Sequence, residues 1–199
     1  MDKKIIEHFR KVDPDLFSVI GKIRPLSEIS TSRDYFSHLC EIIINQQLSD
    51  KASATIFARF SKLFPQGLVT AEKLLKLGDG KIRQTGPSLS KINFMKGVAK
   101  EIVSGRLDLN KIGKCQEMEI RQRLTKIKGI GPWTVEMFLI FSLGKEDVFS
   151  PGDLGLRKAI KKLYKLEEEV TIKRAEEFSK KWSPYRSYAC RILWRSLEL

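Results

Sequence analysis

Apolar residues recur at helical spacing along nearly the whole chain, and no pair of alternating runs is joined by a hairpin turn. Ile5, Ile6, Phe9, Val12, Leu16, Phe17, Ile20 and Ile23 form the first series. Asp13-Pro14 interrupts it, which predicts two short helices with Asp13 as N-cap of the second. Pro25 ends the pair. Tyr35, Phe36, Leu39, Ile42 and Ile43 predict a helix over 32–47, capped by Ser32. Ser49 or Asp50 restarts a helix that Pro65-Gln66-Gly67 closes. Thr70 caps a short helix ending near Leu77-Gly78, and Asp79 opens a further turn that Thr85-Gly86-Pro87 breaks. Ser90 then caps a longer helix carrying Ile92, Met95, Val98, Ala99, Ile102 and Val103, stopped by Gly105. Residues 106–115 read as a connector. Later helices are predicted over 116–126, 154–166 and 171–182, and Ser183-Pro184 starts a last one. The prediction is an all-α chain of roughly nine to twelve helices, many of them short.

Residues 124–157 organise the rest. A helix ends, turns through Gly129-Ile130-Gly131 and restarts at Pro132-Trp133-Thr134, followed by an apolar run (Val135, Met137, Phe138, Leu139, Ile140, Phe141, Leu143) that stops at Gly144. Pro151-Gly152-Asp153 opens the next helix. Glycine permits positive φ and close approach of the main chain. A new helix presents unpaired N–H groups carrying partial positive charge. Together they make a backbone-only cradle for phosphate.

Charge sharpens that reading. Of 199 residues 37 are basic and 24 acidic, a net charge of +13 spread along the chain. Such an excess favours a polyanionic partner. A content of 42% hydrophobic residues is enough to fill a core. Cys40, Cys115 and Cys190 lie far apart without a C-x-x-C pair, which argues against a zinc ribbon or a cysteine-ligated iron–sulfur cluster. Dispersed thiols suit a reducing compartment. Neither a signal-peptide core nor ~18 consecutive apolar residues occur. An intracellular, soluble protein without membrane association is expected, and no sustained heptad repeat points to an oligomer.

KGIGPWT, followed 22 residues after Gly131 by the aspartate of PGD, resembles the helix-hairpin-helix/Gly-Pro-Asp superfamily of DNA glycosylases. Within it the chain is most similar to the alkylpurine branch, that of 3-methyladenine DNA glycosylase II and the yeast alkyladenine glycosylases. The likeness extends to IIINQQLSDKASATIF (42–57), TGPSLSKINFMKGVAKEI (85–102) and WSPYRSYACRILW (182–194). The resemblance implies one glycosylase domain over 1–199, with its hairpin motif at 124–136 and no room for the N-terminal β-domain of the bacterial inducible enzyme. It implies two helical lobes, 30–115 and 1–29 with 116–199, and a DNA-binding cleft between them. The implied partner is double-stranded DNA carrying damaged bases, bound by a monomer.

Residue roles follow from the same resemblance. Asp153, an ordinary N-cap by position, is the catalytic anion: breaking an N-glycosidic bond builds oxocarbenium character on the sugar, which a fixed carboxylate stabilises. Bifunctional members carry a Schiff-base lysine where this chain has Trp133, so no strand cleavage is expected. Lys126 and Lys128 do not match that position. Trp133 and Tyr185 face a cationic alkylpurine by stacking and cation–π attraction, with Trp182, Met137 and Leu154 completing the pocket. Met137 and Leu154 stand where the bacterial inducible enzyme has tyrosines, so this pocket is less aromatic. The loop Gln46-Gln47-Leu48 is the wedge that fills the gap left by an extruded base. Gly129, Gly131, Trp133, Thr134, Ser88 and Lys91 are the phosphate contacts, the last two on a second loop beginning at Gly86. Carbonyls of Thr125, Ile127 and Ile130 are the ligands of a sodium or potassium ion; no other cofactor is implied. His8 and His38 read as structural. Two alternatives remain open from sequence: a non-catalytic helix-hairpin-helix clamp, and a glycosylase for oxidised guanine or a mismatched base.

Overall fold

The structure is a computed structural model that describes residues 1–26, 29, 31 and 34–199. Among the described residues it is helical throughout, without a strand. The helices are α1 (Lys3–Val12), α2 (Pro14–Ile20), α3 (Tyr35–Asn45), α4 (Asp50–Ser61), α5 (Ala71–Lys76), α6 (Asp79–Arg83), α7 (Leu89–Val103), α8 (Leu109–Ile112), α9 (Glu117–Leu124), α10 (Pro132–Met137), α11 (Leu154–Leu163), α12 (Ile172–Ser179) and α13 (Arg186–Ser196). No helix among them is long and apolar enough to cross a membrane.

Side-chain caps start most of these helices. Asp13, Ser49, Thr70, Asp153 and Thr171 each accept an N–H from the first turn that follows. Other starts differ from expectation. Ser32 lies outside the described residues, and Asp34 caps α3 through the N–H of Ser37. The cap of α7 is Ser88, not Ser90, because the Ser88 hydroxyl reaches the N–H of Lys91. The expected connector 106–115 contains α8, closed by the Asp108 carboxylate on the N–H groups of Asn110 and Lys111. Ser183 does not cap the last helix. Its hydroxyl donates to Asp147 instead (2.8 Å), and α13 begins at Arg186 after a cis Ser183–Pro184 bond.

The chain divides into two compact units, Thr31–Leu143 and Met1–Ser30 with Gly144–Leu199. The division falls at 143/144, later than the 115/116 boundary read from sequence. The hairpin helices therefore group with α3–α8, and α10 packs on α3 and α9.

In the unit Thr31–Leu143, α7 lies against α5, and α3 packs on α4 and α7. Leu39, Ile43, Phe60, Leu74, Ile82, Ile92, Met95 and Phe138 are fully buried there. In the other unit, α13 packs on α2 and α11, around Phe9, Leu16, Ile160, Trp182 and Ile192. Asp13 is the polar hub of that core. Its carboxylate accepts from the Trp182 indole N–H (2.7 Å), the Tyr164 hydroxyl and the Leu16 N–H (3.1 Å), and pairs with Lys181 (2.9 Å). Burial by itself would raise its pKa, but these donors hold it below the ordinary carboxylate value. Tyr164 is pushed the opposite way, by burial and by the Asp13 charge.

Candidate functional site

The hairpin is braced from three sides within its own unit. Arg121 of α9 joins Glu117 (2.9 Å) to the buried Glu136 of α10 (3.2 Å). The turn closes through Ile127 N–H on the Leu124 carbonyl and Ile130 N–H on the Ile127 carbonyl, both 3.0 Å. Gln46 donates its amide to the Gly129 carbonyl (3.0 Å) and the Thr134 hydroxyl (2.9 Å). Phe94 of α7 lies directly under Gly129.

The two hairpin glycines have different reasons to be glycine. Gly129 holds φ +88°, and a Cβ there would sit 2.0 Å from the Phe94 ring. Gly131 has φ −91°, an angle open to any residue, and a Cβ there would meet nothing within 4 Å. Packing in this chain requires the first glycine and leaves the second unexplained.

Trp133 is half-buried on the first turn of α10, and Met137 is buried one turn on. The chain continues from α10 as a π-helical turn, Phe138–Ser142. That turn rotates Phe141 outward to 42% exposure, where the helical period had counted it with the apolar run.

Gln46 was expected on the wedge with Gln47 and Leu48. Its amide is committed to the hairpin, which leaves Gln47 and Leu48 exposed at the loop tip. Gln47 has φ +58°, a strained angle for a residue with a side chain. Lys91 likewise has another task. Its ammonium donates to the carbonyl of Ile44 (2.9 Å) in the last turn of α3, and burial holds its pKa below the ordinary lysine value. A cation there satisfies an end carbonyl and complements the helix dipole. One of the three Lys91 ammonium donors is thus engaged within the fold. Ser88 remains exposed while its hydroxyl caps α7.

In the other unit, Asp153 is the N-cap of α11. Its Oδ1 accepts from the Leu156 N–H (2.8 Å) and from the Trp194 indole N–H (3.0 Å). Gly155 makes room for this pairing, since a Cβ there would crowd Asp153 Oδ1 at 3.1 Å and Trp194 Cδ1 at 3.3 Å. The approach to Asp153 is equally fixed. Arg186 grips Asp147 through two nitrogens (2.7 and 3.1 Å). Ser187 accepts from the Val148 N–H (3.0 Å) and donates to the Lys145 carbonyl (2.7 Å). Trp194, Gly155 and the Asp147–Arg186 clamp were not singled out from sequence, and nothing in their spacing marks them.

Of the expected pocket residues in this unit, Leu154 is 53% exposed and Tyr185 is 9% exposed. The Tyr185 ring stands edge-on to His8 at 5.1 Å between centroids. Trp182 leaves the pocket set: it is fully buried and spends its indole N–H on Asp13. His38 meets Ser142 at 3.4 Å in the unit it shares with the hairpin.

Among the described residues no group of three or more His, Cys, Asp or Glu side chains could hold a metal. Among the described residues the hairpin carbonyls of Thr125 and Ile130 accept no main-chain N–H, whereas Ile127 accepts that of Ile130. Carbonyl oxygens of this kind suit a hard cation, and of the three expected ligands Thr125 and Ile130 keep theirs clear of main-chain N–H groups.

A braced hairpin opening onto bare glycine backbone, with an oriented carboxylate at the head of a later helix, defines a helix-hairpin-helix protein equipped for reaction at DNA. Residues 40–184 match the HhH-GPD superfamily of base excision DNA repair proteins, and the chain belongs to that family. It is 33% identical over 186 residues to DNA-3-methyladenine glycosylase 1 of Schizosaccharomyces pombe, covering 92% of this chain and 81% of that one. The S. pombe 3-methyladenine DNA glycosylase Mag1, solved in complex with abasic DNA, superposes with a TM-score of 0.91 at 31% identity, covering 99% and 98% of the two chains. A DNA-3-methyladenine glycosidase of Bacillus halodurans gives 0.78 at 36% identity, covering 98% and 89%.

Proposed function

We propose that this protein is a DNA glycosylase that extrudes an alkylated purine of the 3-methyladenine class from duplex DNA and hydrolyses its N-glycosidic bond. Water adds to the anomeric carbon as the bond to the base breaks, and the base departs with the bonding electrons. The products are the free base and an abasic site on an uncut strand. An N-alkylated cationic purine leaves without help from a general acid.

One observation carries this reading. Asp153, the aspartate of the family motif, caps α11 and is oriented by a backbone N–H and an indole N–H. Its anion stabilises positive charge growing on the sugar and takes up the proton of the attacking water. Trp133 and Tyr185 contribute ring faces to the extruded base. Gln47 and Leu48 enter the space it vacates. Main-chain N–H groups at Gly131 and beyond bind phosphate, and a sodium or potassium ion on Thr125, Ile127 and Ile130 would add positive charge beside it. Trp133 in place of lysine leaves no amine to form a Schiff base at that position. The substrate class is supported by relatives named as 3-methyladenine glycosylases. The site of action is genomic DNA inside the cell.

Asp153→Asn tests the reading, because asparagine caps a helix as well as aspartate does. The variant is expected to fold normally and bind abasic-site DNA, while base release from alkylated duplex falls at least about 100-fold. Release at the wild-type rate would overturn the catalytic assignment. A wild-type protein that binds but releases no base would be a clamp and not an enzyme.

A further inference from the structure

We propose that a basic groove beside the hairpin, along the outer face of α7, binds the phosphate backbone of duplex DNA flanking the lesion. This rests on the DNA-binding reading above and extends its footprint. The groove encloses about 1080 Å³ and lies wholly within the unit Thr31–Leu143. Its walls carry six cations, Lys96, Lys100, Arg106, Arg123, Lys126 and Lys128, against two acids, Asp79 and Glu101.

Both acids are already occupied. Asp79 holds Lys96, which also donates to the Leu77 carbonyl (2.7 Å), and Glu101 holds Arg106 (2.8 Å). Arg123 pairs with Glu119 at 2.6 Å. Lys100, Lys126 and Lys128 are exposed and take part in no ion pair among the described residues. Three unneutralised ammonium groups therefore share one concave wall, and the occupant that fits is a polyanion.

Its identity follows from continuity and length. Lys126, Ile127 and Lys128 line the groove and run directly into Gly129–Gly131, the proposed phosphate cradle. From Ser90 to Lys100 the lining side of α7 rises roughly 15 Å at ~1.5 Å per residue, about four phosphate steps of one DNA strand.

Gly97 adds a second observation. It lines the groove in the middle of α7, and a Cβ there would meet nothing within 4 Å. Glycine inside a helix is less stable than alanine, and no packing in this chain needs it. A bare backbone at the groove floor leaves room for a ligand to come close.

The test uses the full chain and Lys100→Ala/Lys126→Ala. Binding is measured by anisotropy at several salt concentrations. The probes are two duplexes centred on a stable abasic-site analogue, one short and one extended by two helical turns. On the long duplex the double variant is expected to bind at least about tenfold more weakly, with a salt slope lower by about 2 (two phosphates, ~0.9 each). On the short duplex the two proteins should match. Gly97→Glu, which projects a carboxylate into the groove, should reproduce the long-duplex defect. Equal affinity and equal slope on both duplexes would overturn the proposal. Base release at saturating DNA is scored in parallel. Its absence in wild type would count against the glycosylase reading alone, since the binding comparison needs no turnover.

Discussion

Gly129→Ala is expected to destabilise the fold through one identifiable overlap. Gly129 sits at φ +88°, and an added Cβ would fall 2.0, 2.3 and 2.4 Å from Cγ, Cδ1 and Cδ2 of Phe94. A left-handed backbone costs an L-residue ~1–2 kcal/mol. Displacing a packed ring adds ~1–3 kcal/mol. The sum, about 2–5 kcal/mol, is a large part of the ~5–15 kcal/mol by which a domain is stable. Urea unfolding should show a lower midpoint with an unchanged m-value. Gly131→Ala is the control. Its φ of −91° and open surroundings limit the loss to within about 1 kcal/mol, the range for an altered N-cap. DNA affinity should nevertheless fall, because the new methyl group stands at the proposed phosphate cradle. In Phe94→Ala/Gly129→Ala the overlap is gone, so the combined loss should be smaller than the sum of the single losses. A Gly129→Ala loss under about 1 kcal/mol, or strict additivity with Phe94→Ala, would refute this account of the hairpin.

Two further outcomes follow from the same geometry. Gln46→Ala removes two hydrogen bonds from the hairpin and should cost ~1–3 kcal/mol, whereas Gln47→Ala should change stability by under ~0.5 kcal/mol and weaken lesion binding. Thermal melts and anisotropy on the same preparations separate the two. Asp13→Asn should cost about 2–4 kcal/mol at neutral pH, since the charge-assisted bonds of Trp182, Tyr164 and Lys181 are weakened together. Asp13 has a folded pKa below its unfolded value. Its contribution is therefore full above about pH 4 and disappears as pH falls through the folded pKa. Wild type should lose stability faster than Asp13→Asn as pH is lowered below about 4, and parallel pH profiles would remove Asp13 from that role.

The aspartate that caps α11 and the hairpin were legible in the one-dimensional pattern because both are local devices. An N-cap, a glycine corner and a proline at a first helical turn depend on residues within a few positions of each other. Asp13, Ser49, Thr70 and Asp153 cap as read for that reason. Where two hydroxyls compete within three residues, as Ser88 and Ser90 do, local chemistry does not choose. There the packing of α7 placed the helix start.

Period and propensity could not say which polar side chains serve the fold. Gln46 and Gln47 are identical neighbours, yet one is bound to a carbonyl 83 positions away and the other turns outward at positive φ. Lys91 reads as a phosphate contact, and no local pattern shows that its ammonium also donates to the Ile44 carbonyl 47 positions away. Trp182 reads as a pocket aromatic until Asp13, 169 positions away, takes its indole N–H. Trp194, which orients Asp153 from 41 positions away, leaves no mark in spacing at all.

The chain by itself determined its helical class, its hairpin and the carboxylate at the head of α11, since caps and turns are set by neighbours along the backbone. The tertiary structure alone decided which candidates remain available to a ligand. A hydrogen bond between residues far apart in sequence depends on where packing carries each helix, and no local pattern encodes that position.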